Sequence, residues 1–186
     1  MSFSLPPPPS RTIALIGLMG VGKSSVGKRL AAALNLPFKD ADAEIEAAAG
    51  QSISNIFASL GEAAFRDGER RVIGRLLAGP VHVMATGGGA FCQDDTRALL
   101  KAEAVTVWLK ADVAVLARRV ARKDTRPLLR DKDPLEVLTA QALVRYPLYE
   151  QADLVVETGE GPHQGVVDQV LQALGRLPPT PVKVAS

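Results

Sequence analysis

The chain has a single cysteine, Cys92, among its 186 residues. One thiol cannot form an intrachain disulfide, so nothing favours the class of secreted, disulfide-stabilised proteins. Charge of one sign is also scarce, because 22 lysines and arginines nearly balance 20 aspartates and glutamates and leave a net charge of +2. So small an excess does not indicate a surface that binds nucleic acid or a membrane.

Long apolar runs are missing as well. The longest are far shorter than the roughly 20 residues that cross a bilayer. The first residues, Met1 to Leu5, lack both the basic start and the apolar segment of a secretory signal. We therefore expect a cytoplasmic protein, a monomer, with neither a membrane nor a nucleic acid as a partner.

The length and the proline distribution predict one domain with two tails. A chain of this size is most simply a single domain with a sizeable core. Four consecutive prolines at 6–9 favour an extended stretch, and prolines recur near the other end from residue 178. We predict disordered tails at 1–10 and 177–186 and a single domain at 11–176.

The most informative segment is Gly17-Leu18-Met19-Gly20-Val21-Gly22-Lys23-Ser24, which matches the phosphate-binding loop G-x-x-x-x-G-K-[ST]. The apolar, β-branched segment 12–16 before it predicts a buried strand, and the apolar spacing after it predicts a helix. In such a loop the backbone N–H groups surround a phosphate, the lysine reaches the β- and γ-phosphates and the serine hydroxyl binds Mg²⁺. The segment therefore predicts binding of a nucleoside triphosphate.

Strand-like and helix-like segments alternate along the chain. Strands are predicted at 12–16, 38–40, 81–85, 105–109 and 154–157. Helices are predicted at 41–49, 54–60, 62–78, 94–101, 113–120, 133–149 and 166–174. Asp94, Asp112 and Asp133 are candidate N-caps for the fourth, fifth and sixth of these helices. This alternation predicts a three-layer α/β/α fold with a five-stranded parallel sheet covered on both faces. Ligands bind at the carboxyl ends of the strands in such folds, so the candidate residues are those that follow strands.

Two carboxylates, Asp40 and Asp42, follow the second strand. They share a face if the strand continues to Asp42, and they cluster at a helix N-terminus if a helix starts near Ala41. A solvated acidic helix start is the alternative to a functional pair. Beside a phosphate loop, the pair suits Mg²⁺ coordination and activation of an alcohol, and no aspartate ends the third strand to take the metal-supporting place.

A second glycine-rich turn, Gly87-Gly88-Gly89, follows the third strand at the same sheet edge. Its backbone could approach a small substrate closely and offer N–H donors. A flexible turn without a ligand is the alternative.

Arginines form the third group of candidates. A basic segment contains Arg118, Arg119, Arg122, Lys123, Arg126 and Arg130. The segment lacks the interleaved aromatic residues that would favour nucleic-acid binding. A mobile lid at about 119–134, which carries an arginine to a transferring phosphoryl group, fits better. Arg66 and Arg145 are candidates for binding a substrate anion in bidentate geometry. His82, His163, Trp108 and Cys92 receive no catalytic role.

Together these motifs resemble the shikimate kinase family from about residue 11 to 174. The matching segments are Gly17 to Ser25, Phe38 to Asp42 with Ile45 and Glu46, Ile53 to Phe57, Gly61-Glu62 with Phe65, Arg66 and Glu69, Gly87 to Ala90, Arg126 to Leu129, and Arg145 with Tyr149. The resemblance implies a P-loop kinase with a mobile lid that phosphorylates the 3-hydroxyl of shikimate with ATP and Mg²⁺, in aromatic amino-acid biosynthesis.

The resemblance also implies a role for individual residues. It places the ATP phosphates on Gly20, Val21, Gly22, Lys23, Ser24 and Ser25, with Mg²⁺ on Ser24 and, through water, on Asp40. It assigns catalysis to Lys23, Asp42 and Arg126, places Arg126 also at the ATP phosphates, and puts Arg119 near the adenine. It gives the shikimate site to Asp42, Arg66, Gly87, Gly88, Gly89 and Arg145. Ser25 stands where the family's motif usually has threonine, which keeps the hydroxyl.

Two other functions compete with this one. The first is another small-molecule kinase of the same fold, such as a gluconate kinase. The second is a GTPase-like switch that binds partners, against which the chain has no N-K-x-D segment for guanine recognition.

Overall fold

A parallel sheet forms the centre of the computed structural model, which describes residues 9–122 and 132–177. Its five strands are β1 Thr12–Ile16, β2 Phe38–Asp40, β3 Val83–Ala85, β4 Ala104–Ala111 and β5 Leu154–Thr158. They lie in the order β2-β3-β1-β4-β5, and every neighbouring pair is parallel. All of β1 is buried, as expected for an apolar strand covered on both faces. The predicted fold class is confirmed.

Helices connect these strands within the described ranges. They are α1 Lys23–Leu34, α2 Ala41–Ala49, α3 Ile53–Leu77, α4 Asp94–Glu103, α5 Val113–Ala121, α6 Pro134–Tyr149 and α7 His163–Gly175, with a short 3₁₀ turn at Ala90–Cys92. α1 packs beside α7, and α3 packs beside α4. The loops that leave β1, β2 and β3 therefore meet at one edge of the sheet, since these three strands are neighbours.

Two of the three predicted helix caps are confirmed. The Asp112 carboxylate accepts a hydrogen bond from the Ala114 N–H at 2.7 Å, and Asp133 accepts one from Leu135 at 3.0 Å. Asp94 does not cap its helix: Gln93 holds the N-cap position, and Asp94 lies in the first turn. A carboxylate there still interacts favourably with the helix dipole.

The two helices predicted on either side of residue 61 are confirmed as the two arms of α3, which a kink at Gly61 separates, with a φ of 82° and a ψ of 174°. Some strand boundaries differ from the prediction. β3 starts at Val83, two residues later than predicted, and β4 extends to Ala111. Strand ends depend on pairing: β3 pairs with β2 only along the short span from Phe38 to Asp40.

A second, smaller apolar cluster joins α2 to α3. It consists of Ile45, Ile56, Phe65 and Val72. Since α2 follows β2 directly and α3 carries Arg66 and Glu69, this cluster fixes those side chains relative to the sheet edge. No helix of the described residues is both long and apolar enough to cross a membrane.

Asp153 connects β5 to the buried strand β4. Its carboxylate accepts hydrogen bonds from the Thr106 N–H at 2.7 Å and from the Thr106 hydroxyl at 2.8 Å. The Asp153 N–H in turn donates to that hydroxyl at 2.9 Å. Thr106 is fully buried, so its polar groups depend on this partner.

We predict that Asp153→Ala lowers the free energy of unfolding by about 1–3 kcal/mol, because two buried donors lose their acceptor. Urea denaturation followed by circular dichroism measures the loss. Asp168→Ala is the control: its carboxylate accepts a hydrogen bond from the exposed Gln164 amide in α7, and its change should stay within about 0.5 kcal/mol. Equal losses in the two variants would contradict the prediction.

Candidate active site

The phosphate-binding loop takes a conformation that requires its glycines. Gly17, Gly20 and Gly22 have φ values of 146°, 82° and 94°. Space is missing too, because a Cβ on Gly17 would lie 2.7 Å from the Leu109 carbonyl oxygen, and one on Gly20 would lie 2.8 Å from Val120 Cγ2. The loop is therefore held against β4 and α5 and shaped to present its N–H groups at the start of α1.

Lys23, the first residue of α1, folds back over this loop. Its ammonium donates hydrogen bonds to the carbonyl oxygens of Gly17 at 2.7 Å and Leu18 at 3.1 Å. The charge also reaches the Asp42 carboxylate, whose pKa it lowers against larger opposing effects. Lys23 therefore places a positive charge between the phosphate loop and the carboxylates that follow β2.

Ser24 and Asp40 present two oxygens side by side. The Ser24 hydroxyl donates to Asp40 Oδ2 at 2.7 Å. The other oxygen of Asp40 accepts from the N–H groups of Asp42 and Ala43, so Asp40 is the N-cap of α2. Of the two arrangements left open for the acidic pair, the helical one is confirmed.

This oxygen pair fits the coordination that Mg²⁺ usually has when it is bound with a nucleotide. Mg²⁺ prefers oxygen ligands and is commonly held by one or two protein groups plus substrate phosphates and water. Within residues 9–122 and 132–177, no cluster of three His, Cys, Asp or Glu residues forms a complete protein cage. A hydroxyl and a carboxylate beside a phosphate loop suit an ion that arrives with the nucleotide.

Asp42 lies half-buried in the first turn of α2. Burial raises the pKa of its carboxyl group, and the neighbouring charge of Asp40 acts in the same direction, while Lys23 and Arg66 oppose them. A carboxylate with a raised pKa is a better proton acceptor than an ordinary aspartate. Asp42 faces the second glycine turn: a Cβ on Gly87 would lie 2.8 Å from Asp42 Oδ1.

Glu69 is a second carboxylate at Gly87, and the residue pattern gave it no role. It is fully buried on α3, and a Cβ on Gly87 would lie 3.0 Å from its Oε1. Glu69 Oε2 accepts a hydrogen bond from Arg66 Nη1 at 2.7 Å, while Oε1 has no hydrogen-bond partner. Burial raises the pKa of Glu69 despite this ion pair. Its position three residues after Arg66, on the same helix face, was the available signal.

Two arginines from different helices converge on the glycine turn. A Cβ on Gly89 would lie 2.8 Å from Cζ of Arg66, and one on Gly88 would lie 3.1 Å from Nη1 of Arg145. Arg66 comes from α3 and Arg145 from α6. The structure thus brings both predicted arginines to the predicted glycine turn, with guanidinium groups that suit a small carboxylate.

A cleft of about 730 Å³ runs along this sheet edge. Its lining includes Ser25, Arg119 and the segment 160–163 after β5. Arg119 donates hydrogen bonds to the carbonyl oxygens of Gly20, at 3.5 Å, and Gly159. Val21, a residue of the phosphate loop, is buried. Arg126 and most of the predicted lid lie outside the described residues.

The segment after β5 was not recognised in the sequence. His163 begins α7, and its ring lies where a Cβ on Gly22 would come within 2.8 Å of Cε1. The position of this segment at the carboxyl end of a strand was the signal that could have identified it. Of the other residues without an assigned role, Trp108 is in the core and His82 lies within hydrogen-bonding distance of the Thr12 hydroxyl at 3.2 Å. Burial raises the pKa of the Cys92 thiol.

The cleft therefore joins the phosphate loop to Asp40, Asp42, Gly87 and Gly88, while Arg66 and Arg145 lie against the glycine turn outside its lining. The family model for shikimate kinase matches residues 19–175 of the chain. The chain belongs to the shikimate kinase family. It is 64% identical over 174 residues to a shikimate kinase of Caulobacter vibrioides strain NA1000, an alignment that covers 94% of this chain and 87% of that protein. A shikimate kinase of Paramagnetospirillum magneticum is 53% identical over 164 residues, or 88% of this chain and 84% of the relative.

Solved structures agree with this membership. A shikimate kinase from Acinetobacter baumannii in complex with shikimate superposes with a TM-score of 0.83 at 37% identity, covering 88% of this chain and 92% of that one. A gluconokinase from Sinorhizobium meliloti superposes with a TM-score of 0.63 at 23% identity, covering 89% and 92%, and shows the shared fold alone. The family predicted from the motifs is confirmed, and so is the enzyme class, an ATP-dependent kinase.

We predict that Glu69 makes this shikimate kinase family member less stable as the pH rises from about 4.5 towards neutrality. Because the folded state binds the Glu69 proton more tightly than the unfolded chain does, stability is greatest below the unfolded pKa and is lost as the pH passes through the raised folded pKa. Glu69→Gln should flatten this decline. Urea denaturation at several pH values measures it.

Glu62→Gln is the matched control for this measurement. The Glu62 carboxylate lies 3.5 Å from Nε of the same Arg66, but it is 67% exposed. Its replacement should leave the slope of stability against pH unchanged. If Glu69→Gln also left the slope unchanged, burial of the Glu69 charge would not be a cause of the pH dependence.

Proposed function

We propose that this chain transfers the γ-phosphoryl group of ATP to the 3-hydroxyl of shikimate, giving ADP and shikimate 3-phosphate. The observation that carries the proposal is the convergence of Asp42, Arg66 and Arg145 on Gly87–Gly89, directly beside the phosphate loop. Shikimate has one carboxylate and several hydroxyls, and this corner offers guanidinium groups for the first and a carboxylate for the second. The family membership supports the same acceptor.

On the donor side, the loop from Gly20 to Ser25 binds the ATP phosphates, and Lys23 neutralises charge on them. Ser24 and, through water, Asp40 would hold Mg²⁺, which would supply further neutralisation of phosphate charge. Arg119 lies next to Gly20 and the segment after β5, where the nucleoside end of ATP fits the cleft. Arg126 stays a predicted partner of the phosphates.

On the acceptor side, Arg66 and Arg145 bind the shikimate carboxylate and orient the ring. Asp42 accepts a hydrogen bond from the attacking hydroxyl and holds its oxygen towards the phosphate loop. Phosphoryl transfer depends mainly on such positioning and on charge neutralisation, because the protein itself forms no covalent bond in the step. The monomeric state, the cytoplasmic location, the disordered tails and the lid remain predictions.

The proposed activity is tested by supplying the purified protein with ATP and Mg²⁺ and following ADP. We expect ADP formation that depends on shikimate, with little formation when gluconate replaces it. Formation with gluconate alone would favour the gluconate kinase alternative. A requirement for GTP in place of ATP would favour the switch-like alternative and contradict the proposal.

We predict that Asp42→Asn lowers kcat about 10²- to 10⁴-fold with the Kd for ATP changed by less than about twofold, because this carboxylate faces the acceptor. Steady-state kinetics and nucleotide titration measure the two effects. Glu44→Gln is the control, since Glu44 lies in the same helix turn but pairs outward with Lys39 at 3.3 Å and Arg75 at 3.5 Å. Loss of ATP binding with kcat intact would show that the role of Asp42 is assigned to the wrong substrate.

A further inference from the structure

Tyr149 is a buried polar side chain at the acceptor site that the proposed reaction does not yet use. It is the last residue of α6, one helical turn after Arg145, and is 0% exposed. Its ring packs among those of Trp108, Tyr146 and Phe91, with centroid distances of 5.7, 6.3 and 6.5 Å. The ring is thus fixed, and its hydroxyl has one direction in which to point.

The hydroxyl points at the glycine turn. It donates a hydrogen bond to the carbonyl oxygen of Gly88. Burial raises the pKa of Tyr149, with the Arg145 guanidinium beside it acting in the opposite direction. The hydroxyl therefore keeps its proton at neutral pH and remains a donor to Gly88.

This bond completes the anchoring of a segment that has no side chains of its own. The Gly87 carbonyl accepts from the Ala90 N–H at 3.2 Å, and the Gly89 carbonyl accepts from the Cys92 N–H at 3.1 Å. The Gly88 carbonyl between them is held by Tyr149. Three consecutive glycines are otherwise free to take many backbone conformations.

Gly88 also lies at the junction of the donor and acceptor sides. A Cβ there would lie 3.1 Å from Arg145 Nη1, 3.5 Å from the Gly17 carbonyl oxygen and 3.9 Å from the Met19 N–H nitrogen. The Arg145 guanidinium is the nearest of these groups, so a shift of the Gly88 peptide would displace it, while the phosphate loop is only in ordinary van der Waals contact.

We propose that Tyr149 is a positioning residue for the acceptor: its hydroxyl fixes the Gly88 peptide and the neighbouring Arg145 guanidinium in the arrangement that binds the substrate carboxylate. This inference rests on the proposed shikimate kinase activity for its kinetic test, and the anchoring of the glycine turn is tested separately. Tyr149 touches neither substrate directly and acts through Gly88 and Arg145.

Tyr149→Phe removes the hydroxyl and keeps the ring. We expect the KM for shikimate to rise about three- to tenfold, as the loss of one well-aligned hydrogen bond in the site predicts, while kcat and the KM for ATP change by less than about twofold. Tyr146→Phe is the matched control: it is on the same helix and in the same ring cluster, but its hydroxyl donates to Ala111 at 2.9 Å, away from the glycine turn. Its KM for shikimate should stay at the wild-type value.

Hydrogen exchange of the free protein, followed by mass spectrometry, tests the anchoring without any substrate. Tyr149→Phe should speed exchange in the segment 87–92, and Tyr146→Phe should not. An unchanged KM for shikimate in Tyr149→Phe would overturn the inference while leaving the proposed function intact, whatever the exchange shows. Faster exchange spread over the whole chain would also overturn it, because Tyr149 would then support the fold in general.

The two proposals fail in different ways. If the wild-type protein forms no ADP with shikimate, the proposed function fails, and exchange in the segment 87–92 still decides whether Tyr149 anchors the glycine turn. If the wild-type protein is active with shikimate and Tyr149→Phe has the same KM for shikimate, the inference about Tyr149 fails alone.

Discussion

The two glycine-rich turns lie close to their surroundings, and the rest of the site depends on that approach. Gly17 lies against the backbone of β4, Gly87 lies between two carboxylates, and Gly88 lies between Arg145 and the phosphate loop. Parallel pairing of β1 with β3 places these turns next to each other. The phosphate loop and the glycine turn therefore line one cleft, with Gly88 next to the backbone of Gly17 and Met19.

Charges of opposite sign lie next to one another around the two turns. Asp40, Asp42 and Glu69 supply carboxylates, and Lys23, Arg66 and Arg145 supply cations that lie among them. Burial nevertheless raises the pKa of Asp42 and Glu69, so the cations only partly offset the loss of water around the carboxylates.

Much of the site was predictable because its residues occur in short, ordered motifs after strands. The phosphate loop, the Asp40–Asp42 pair and Gly87–Gly89 are each contiguous, and parallel topology brings the ends of their strands to one edge. The contacts of Glu69, His163 and Tyr149 were harder to predict, since each depends on a partner far away in the sequence. Tyr149 reaches Gly88 across 61 positions, and nothing in the residues around Tyr149 indicates that contact.

The sequence by itself determined the order of the chemical groups along the chain, the phosphate loop and the family, because local periodicity and contiguous motifs need no knowledge of packing. The tertiary structure decided which groups face one another. Asp42 and Glu69 share Gly87 because the small apolar cluster between α2 and α3 sets the position of both helices. Arg145 and Tyr149 meet Gly88 because α6 packs its rings against Trp108 of β4. Such contacts arise from the packing of whole helices and strands against one another, which local sequence patterns do not specify.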